Sequence, residues 1–165
     1  MYLDNFELLK VNDVKPAAII IPTIVIDNEK QLLLEVRSAN IRQALEVCFP
    51  GGRINENESP KDAAIRELKE ELLIEDDKIF NVKEVCLTIG PRLEPIFVYE
   101  CELRSYSNTY STDEVSELLI KPYSFFKDNV IVKPNERQKT QYEYQLDGHT
   151  IWGLTARVIN YYMNR

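Results

Sequence analysis

FPGGRINENESPKDAAIRELKEELLIE, residues 49–75, joins a Gly-Gly turn to a short acidic loop and then to a helix-forming run. Ser59 is a natural N-cap, Pro60 suits the first helical position, and Asp62 stands three residues after the cap, a shortened capping box. A helix is therefore expected from Ser59 to about Leu73. At roughly 100° per residue, Ala64, Ile65, Leu68 and Leu72 share one arc and form the buried stripe. Glu67, Glu70 and Glu71 share another arc about 100° wide, with the small Ala63 among them. Carboxylates this close repel one another and weaken the helix, so a positive charge must compensate. Arg66, four residues before Glu70, is one source. A bound hard cation is the stronger one, because Mg²⁺ and Mn²⁺ prefer carboxylate oxygens.

Taken alone, an acidic helix face is an ordinary solvated surface. The distances to its neighbours make this one specific. Five residues separate Gly52 from Glu58, seven separate Glu58 from Arg66-Glu67, and two more precede Glu70-Glu71. This spacing resembles the box of the Nudix hydrolases, G-x5-E-x7-R-E-U-x-E-E-x-G-U, where U is a bulky aliphatic residue. Every fixed position matches but one, the second glycine, which is Leu73 here. Glycine at that place commonly ends a helix in the left-handed conformation. A leucine there costs roughly 1 kcal/mol if it must do the same, so the helix is expected to run on by a turn to Asp76-Asp77.

The chain has 165 residues, 44% hydrophobic and 28% charged, which suits one globular domain spanning residues 1–165. A net charge of −7 argues against a nucleic-acid or anionic-membrane surface. It also means that an anionic substrate must be met by local cations or metal. No apolar run reaches the length of a membrane span, and residues 1–10 are mixed and acidic, with no evident signal peptide. Cys48, Cys86 and Cys101 are odd in number and lack C-x-x-C spacing, as expected of reduced thiols in a cytoplasmic protein.

Around the box, residues 1–15 suggest a short amphipathic helix or arm. Ala17 to Ile26 reads as a buried strand, with Pro22 marking an edge or a bulge. A polar turn at 27–30 leads into a second strand, Gln31 to Arg37, and Val47 to Phe49 is a short third one. Val82 to Ile89, Pro95 to Leu103, Glu117 to Ile120 and Thr140 to Leu146 follow as strands, with a polar loop over 105–113. A helical turn is expected over Pro122 to Lys127, and a closing helix from Thr150 to Met163. The resulting order is that of an α+β fold in which a mixed sheet is sandwiched between helices, and the Nudix resemblance implies the same fold.

The resemblance also implies a reaction, the metal-dependent attack of water on a nucleoside diphosphate derivative. On the matching positions, Glu70 and Glu71 would ligate Mg²⁺ or Mn²⁺ together with the Gly51 carbonyl. Glu67 would hold a second ion or act as general base, and Arg66 and Glu58 would orient the others. Glu114, in the segment Thr112-Asp113-Glu114-Val115-Ser116-Glu117, resembles a loop carboxylate that many Nudix enzymes add as ligand or base. Arg37 and Arg42 are candidate phosphate contacts, and Gly52 lets the backbone approach the substrate closely. Many Nudix enzymes are dimers, so the resemblance allows a homodimer. The sole histidine, His149, is read as a surface or hydrogen-bonded residue rather than part of a nucleophilic triad, and Trp152-Gly153 as a packing element.

Three flanking stretches resemble the coenzyme A pyrophosphatase branch. They are Leu33-Leu34-Glu35-Val36-Arg37-Ser38 with Val47-Cys48-Phe49-Pro50-Gly51-Gly52, the strand Pro95-Ile96-Phe97-Val98, and Ile151-Trp152-Gly153-Leu154-Thr155-Ala156-Arg157. The departures fall near the substrate rather than the metal. Gln43 and Leu45 replace the branch's His and Gly, Glu35 replaces a Thr, and the Gly90–Glu94 loop is short. Coenzyme A or an acyl derivative is the substrate so implied. ADP-ribose, dinucleotides and nucleoside triphosphates are the alternatives within the class, and a nucleotide-binding regulator without turnover is the alternative outside it.

Overall fold

A computed structural model describes residues 14–134 and 140–165, so nearly all of the expected N-terminal helix or arm lies outside the described residues. The chain divides into two compact units, residues up to Thr23 with Phe49–Ser111, and Ile24–Cys48 with Thr112–Arg165.

The first unit is built on a mixed sheet. Strand β1 (Ala17–Ile26) contributes its residues up to Thr23, which run parallel to β6 (Pro95–Leu103) from Ala17↔Ile96 to Thr23↔Glu102. β5 (Ile79–Ile89) pairs antiparallel with the other edge of β6, and the short β4 (Gly51–Arg53) pairs antiparallel with β1 through Ala17↔Arg53 and Ile19↔Gly51. Pro22 is not at an edge. It sits inside β1 opposite Cys101 of β6. Ile20 donates its amide to the Pro50 carbonyl, and strand alternation turns the Pro22 nitrogen to that same side. The missing N–H therefore costs the β1–β6 ladder nothing.

Helix α1 (Pro60–Leu72) begins as expected, with the Ser59 hydroxyl accepting from the Asp62 amide at 3.1 Å. Ala64, Leu68 and Leu72 are fully buried, as are Ile20 and Val98 of the sheet. The buried stripe is rotated from the expected one, however. Ile65 is only half-buried, whereas Ala63 and Glu71 are buried, which carries the Glu71 side chain inward.

The end of α1 corrects the sequence reading. The helix stops at Leu72, and Leu73 takes the left-handed conformation (φ 50°, ψ 41°) that the family's glycine would supply. The chain then turns through a short 3-10 turn at Asp76–Lys78 rather than extending the helix. Ile74 is buried to 6% exposure while Leu73 stays 53% exposed, so burying the former offsets the strain at the latter. Leu73→Gly should therefore raise stability by about 0.5–1 kcal/mol. A urea midpoint unchanged or lowered in the variant would contradict this account.

In the second unit, β2 (Glu29–Arg37) lies between β3 (Val47–Cys48) and β7 (Val115–Pro122), antiparallel to both. Asp27 and Asn28 both have positive φ and form the two-residue turn into β2. After α2 (Tyr123–Asp128), β8 (Ile131–Pro134), β9 (Thr140–Leu146) and β10 (His149–Ile151) make a three-stranded antiparallel sheet, closed by α3 (Gly153–Met163). β8 and β10 were not expected. Asp147-Gly148, both at positive φ, is a hairpin turn of the type that Asp-Gly favours, and it makes a strand of the residues read as the first turn of the final helix. Trp152, expected to pack, is 57% exposed and stands extended at the start of α3. None of the three cysteines is in a disulfide. No described helix is long and apolar enough to cross a membrane.

Candidate active site

The first unit gathers Gly51, Gly52, Glu58, Arg66, Glu67, Glu70 and Glu71. Arg66 is the hub. Its guanidinium donates to both Glu58 oxygens, Nε to Oε1 at 2.7 Å and Nη2 to Oε2 at 3.0 Å. Nη1 donates to Glu67 Oε1 at 2.7 Å and to Glu70 Oε2 at 3.2 Å, and Nη2 also reaches the Arg53 carbonyl at 3.0 Å. One planar fork thus ties the loop before α1 to the acidic face of α1. The arginine was expected to steady Glu70. Its bonds to Glu58 and the Arg53 carbonyl need the folded loop, so spacing alone does not reveal them.

The carboxylates differ in environment. Glu71 is 2% exposed and its Oε2 accepts the Gly51 amide at 3.0 Å. The Glu67 side chain is 13% exposed and lies against Gly52, where an added Cβ would come within 2.2 Å of Oε1. Glu70 is the open one, at 53%. Glu58 is further fixed by the Asn55 amide at 2.9 Å.

Hydrogen bonding to Arg66, then the bond from the Asn55 amide, holds the Glu58 carboxyl below its ordinary value. The same pairing with Glu58 raises the Arg66 guanidinium above its own. A depressed carboxyl stabilises the fold above its unfolded value near 4.5 and loses that contribution as pH falls through its lowered folded value. The difference in melting temperature between the native protein and Glu58→Gln should therefore be constant above pH 5 and shrink from there toward pH 3. A difference independent of pH across that range would show that the Arg66–Glu58 pair contributes nothing.

Four carboxylates against one guanidinium leave a net negative cluster of oxygen donors, the chemistry that a hard divalent cation requires. Among the described residues no group of three or more His, Cys, Asp or Glu side chains is placed to hold a metal ion. Arg66 Nη1 bonds Glu67 and Glu70 instead. The donor types suit a hard cation, but their placement is set by Arg66, whose Nη1 meets part of the charge.

The chain is matched over residues 16–138 by the family model of the NUDIX domain. It belongs to the NUDIX domain family. A probable nudix hydrolase of Schizosaccharomyces pombe is 30% identical over 164 residues, covering 90% of this chain and 55% of its own length. The chain thus spans about half of that relative. The Nudix hydrolase NudL of Pectobacterium atrosepticum, itself uncharacterized, is 29% identical over 93% of this chain and 83% of its own. In fold, the chain resembles the NUDIX domain of Shewanella oneidensis NrtR, crystallised with ADP-ribose. The TM-score is 0.54 at 20% identity, over 74% of this chain and 82% of that one.

The remaining candidates lie in the second unit. Arg37 donates from Nε to the Arg42 carbonyl at 3.1 Å and is half-buried, while Arg42 is exposed. The Glu114 carbonyl accepts the Ser38 amide at 2.8 Å, which sets Glu114 beside the end of β2. His149 bonds Glu117 (Nε2 to Oε2, 3.0 Å), in keeping with a hydrogen-bonded structural histidine. Sequence reasoning missed the amides of Asn55 and Ser111 and the Arg53 carbonyl. Main-chain donors and acceptors carry no residue-type signal.

Proposed function

We propose that this NUDIX-family chain is a divalent-metal-dependent pyrophosphatase acting on nucleoside diphosphate derivatives, with coenzyme A or an acyl-coenzyme A as its preferred substrate. The observation that carries the reading is the box itself. All four glutamates are present, organised by Arg66, with Glu71 buried against the Gly51 amide. Glu67, Glu70 and Glu71, with the Gly51 carbonyl, would hold Mg²⁺ or Mn²⁺. When bound, the cation neutralises phosphate oxygens and makes water easier to deprotonate.

The chain's own groups do the rest. Arg66 and Glu58 keep Glu67 oriented, and the bare backbone at Gly52 lets the Glu67 carboxylate lie flat against the strand. In this reading Glu67 takes the proton from the attacking water, while Glu114 as an alternative base and Arg37 and Arg42 as phosphate contacts rest on the family resemblance alone. Products of coenzyme A cleavage would be adenosine 3′,5′-bisphosphate and 4′-phosphopantetheine. Support for that substrate comes from the three flanking sequence stretches, whereas the ADP-ribose held by the NrtR domain supports a wider nucleoside diphosphate class.

The test is a panel assay with Mg²⁺ and with Mn²⁺ over coenzyme A, acyl-coenzyme A, ADP-ribose, NADH, diadenosine polyphosphates and nucleoside triphosphates, with products identified by mass. Dominant release of 4′-phosphopantetheine is expected. Cleavage of another diphosphate would remove coenzyme A and keep the reaction. Nucleotide binding with no hydrolysis of any compound would replace the enzyme by a nucleotide-binding regulator.

A further inference from the structure

The last turn of α1 carries Glu70 and Glu71, and its carbonyls lie beyond the helix's own hydrogen-bond ladder. The Glu71 carbonyl accepts a 2.8 Å bond from the Ser111 amide. Glu71 is therefore held twice, through its carboxylate by the Gly51 amide and through its main chain by Ser111. Because Leu73 turns left-handed two residues later, no further helical turn steadies this end.

The loop that delivers Ser111 is tied at its base to the residues before β5 and braced within itself. Arg104 donates its amide to the Lys78 carbonyl at 3.0 Å, and the Tyr106 hydroxyl donates to the Thr109 carbonyl at 2.6 Å. Burial first, and Tyr110 second, push the Tyr106 phenol up to about 12, so it remains a donor at any physiological pH. A cleft of about 300 Å³ opens between Leu73–Glu75, Lys78 and Ser105–Ser107. The cleft thus parts residues 105–107 from the segment after α1, and the Ser111 amide is bonded to the helix end.

We propose that the Ser111 amide is a positioning group for the metal site, fixing the main chain of Glu71 so that the Glu70 and Glu71 carboxylates stand ready for a cation. The proposal rests on the hydrolase reading above. Ser111→Pro deletes the donor and Ser111→Ala keeps it. In Mn²⁺ titrations followed by electron paramagnetic resonance, without substrate, Ser111→Pro should bind Mn²⁺ up to about tenfold more weakly, the upper scale of one lost main-chain hydrogen bond. Ser111→Ala should stay within about twofold of the native protein, as expected for a change that keeps the bond. In turnover, the proline variant should lose kcat at limiting Mn²⁺ and recover it at high Mn²⁺, with the substrate KM unchanged. A folded proline variant with native Mn²⁺ affinity would overturn the proposal.

Hydrogen exchange on the native protein decides the matter if the proline variant does not fold. Linkage requires Mn²⁺ to slow exchange of the Ser111 amide if that amide favours the metal-ready state, and an exchange rate indifferent to Mn²⁺ would overturn the proposal. Slowed exchange with Mn²⁺ bound, but no hydrolysis of any nucleotide, would uphold the positioning role and sink the reaction assigned above.

Discussion

Glu70→Gln should reduce metal-dependent hydrolysis to less than about 3% of the native rate, a loss of more than about 2 kcal/mol in transition-state stabilisation, with the fold unaffected. The two outcomes separate because of where Glu70 sits. It is half exposed, and the bond described for it is the 3.2 Å contact from Arg66 Nη1, one turn earlier on the helix. Such an exposed pair contributes only about 0.3–0.5 kcal/mol to stability. Glutamine keeps the shape and can still accept that bond, but it removes the charge with which Glu70 is proposed to hold a cation. The variant should therefore melt within about 2 °C of the native protein and fail in turnover at any divalent-cation concentration that gives the native protein its full rate. Turnover above a few per cent in a folded variant would remove Glu70 from the catalytic machinery.

The grouping of the candidate residues was legible in the sequence because the box carries its charged side chains at helical spacing. Ser59 and Pro60 set the phase of α1, and that phase places Arg66 one turn from Glu70 and gathers Glu67, Glu70 and Glu71 near Gly51 and Gly52. The fold class followed for a similar reason, since the β-branched run at Ala17–Ile26 and the stretch Pro95–Leu103 are strands at the expected bounds.

What could not be read depends on tertiary context or on two-residue signals. Local propensity argued that Leu73 would continue the helix, yet burial of Ile74 on the following residue outweighed a strain of about 1 kcal/mol. Asp147-Gly148 is a two-residue hairpin signal, masked by the apolar periodicity of the helix after it. The exposed β8 had no apolar alternation to reveal it, because it is an outer strand of its small sheet. Glu71 turned inward because the buried arc of α1 is shifted toward Ala63, a difference of one residue's rotation that helical periodicity does not resolve.

The adjacent glycines of the box should fail in opposite ways when each is replaced by alanine. At Gly51 the added Cβ would lie 2.5 Å from the Ala18 carbonyl oxygen and 2.8 Å from the Ile19 Cα. Both are main-chain atoms of β1, so β4 must move away from its partner strand. Overpacking of this kind costs roughly 2 kcal/mol, which in a chain of this size lowers Tm by about 5 °C. At Gly52 the obstructing atoms belong to the Glu67 carboxylate, with Oε1 at 2.2 Å and Cδ at 2.5 Å. A flexible side chain yields cheaply, so Tm should change by no more than about 2 °C. The carboxylate that swings aside, however, is one held by Arg66 Nη1 at 2.7 Å, and it leaves the place where the proposed reaction would use it as ligand or base. A displacement on the order of 1 Å at such a group costs about a hundredfold in rate, so kcat of Gly52→Ala should fall by that order while the protein stays folded. Thermal melts and single-substrate kinetics on the two variants make the comparison. Full activity in Gly52→Ala would mean that the position of Glu67 does not matter to the reaction, and Gly51→Ala melting at the native temperature would mean that β4 is free to shift.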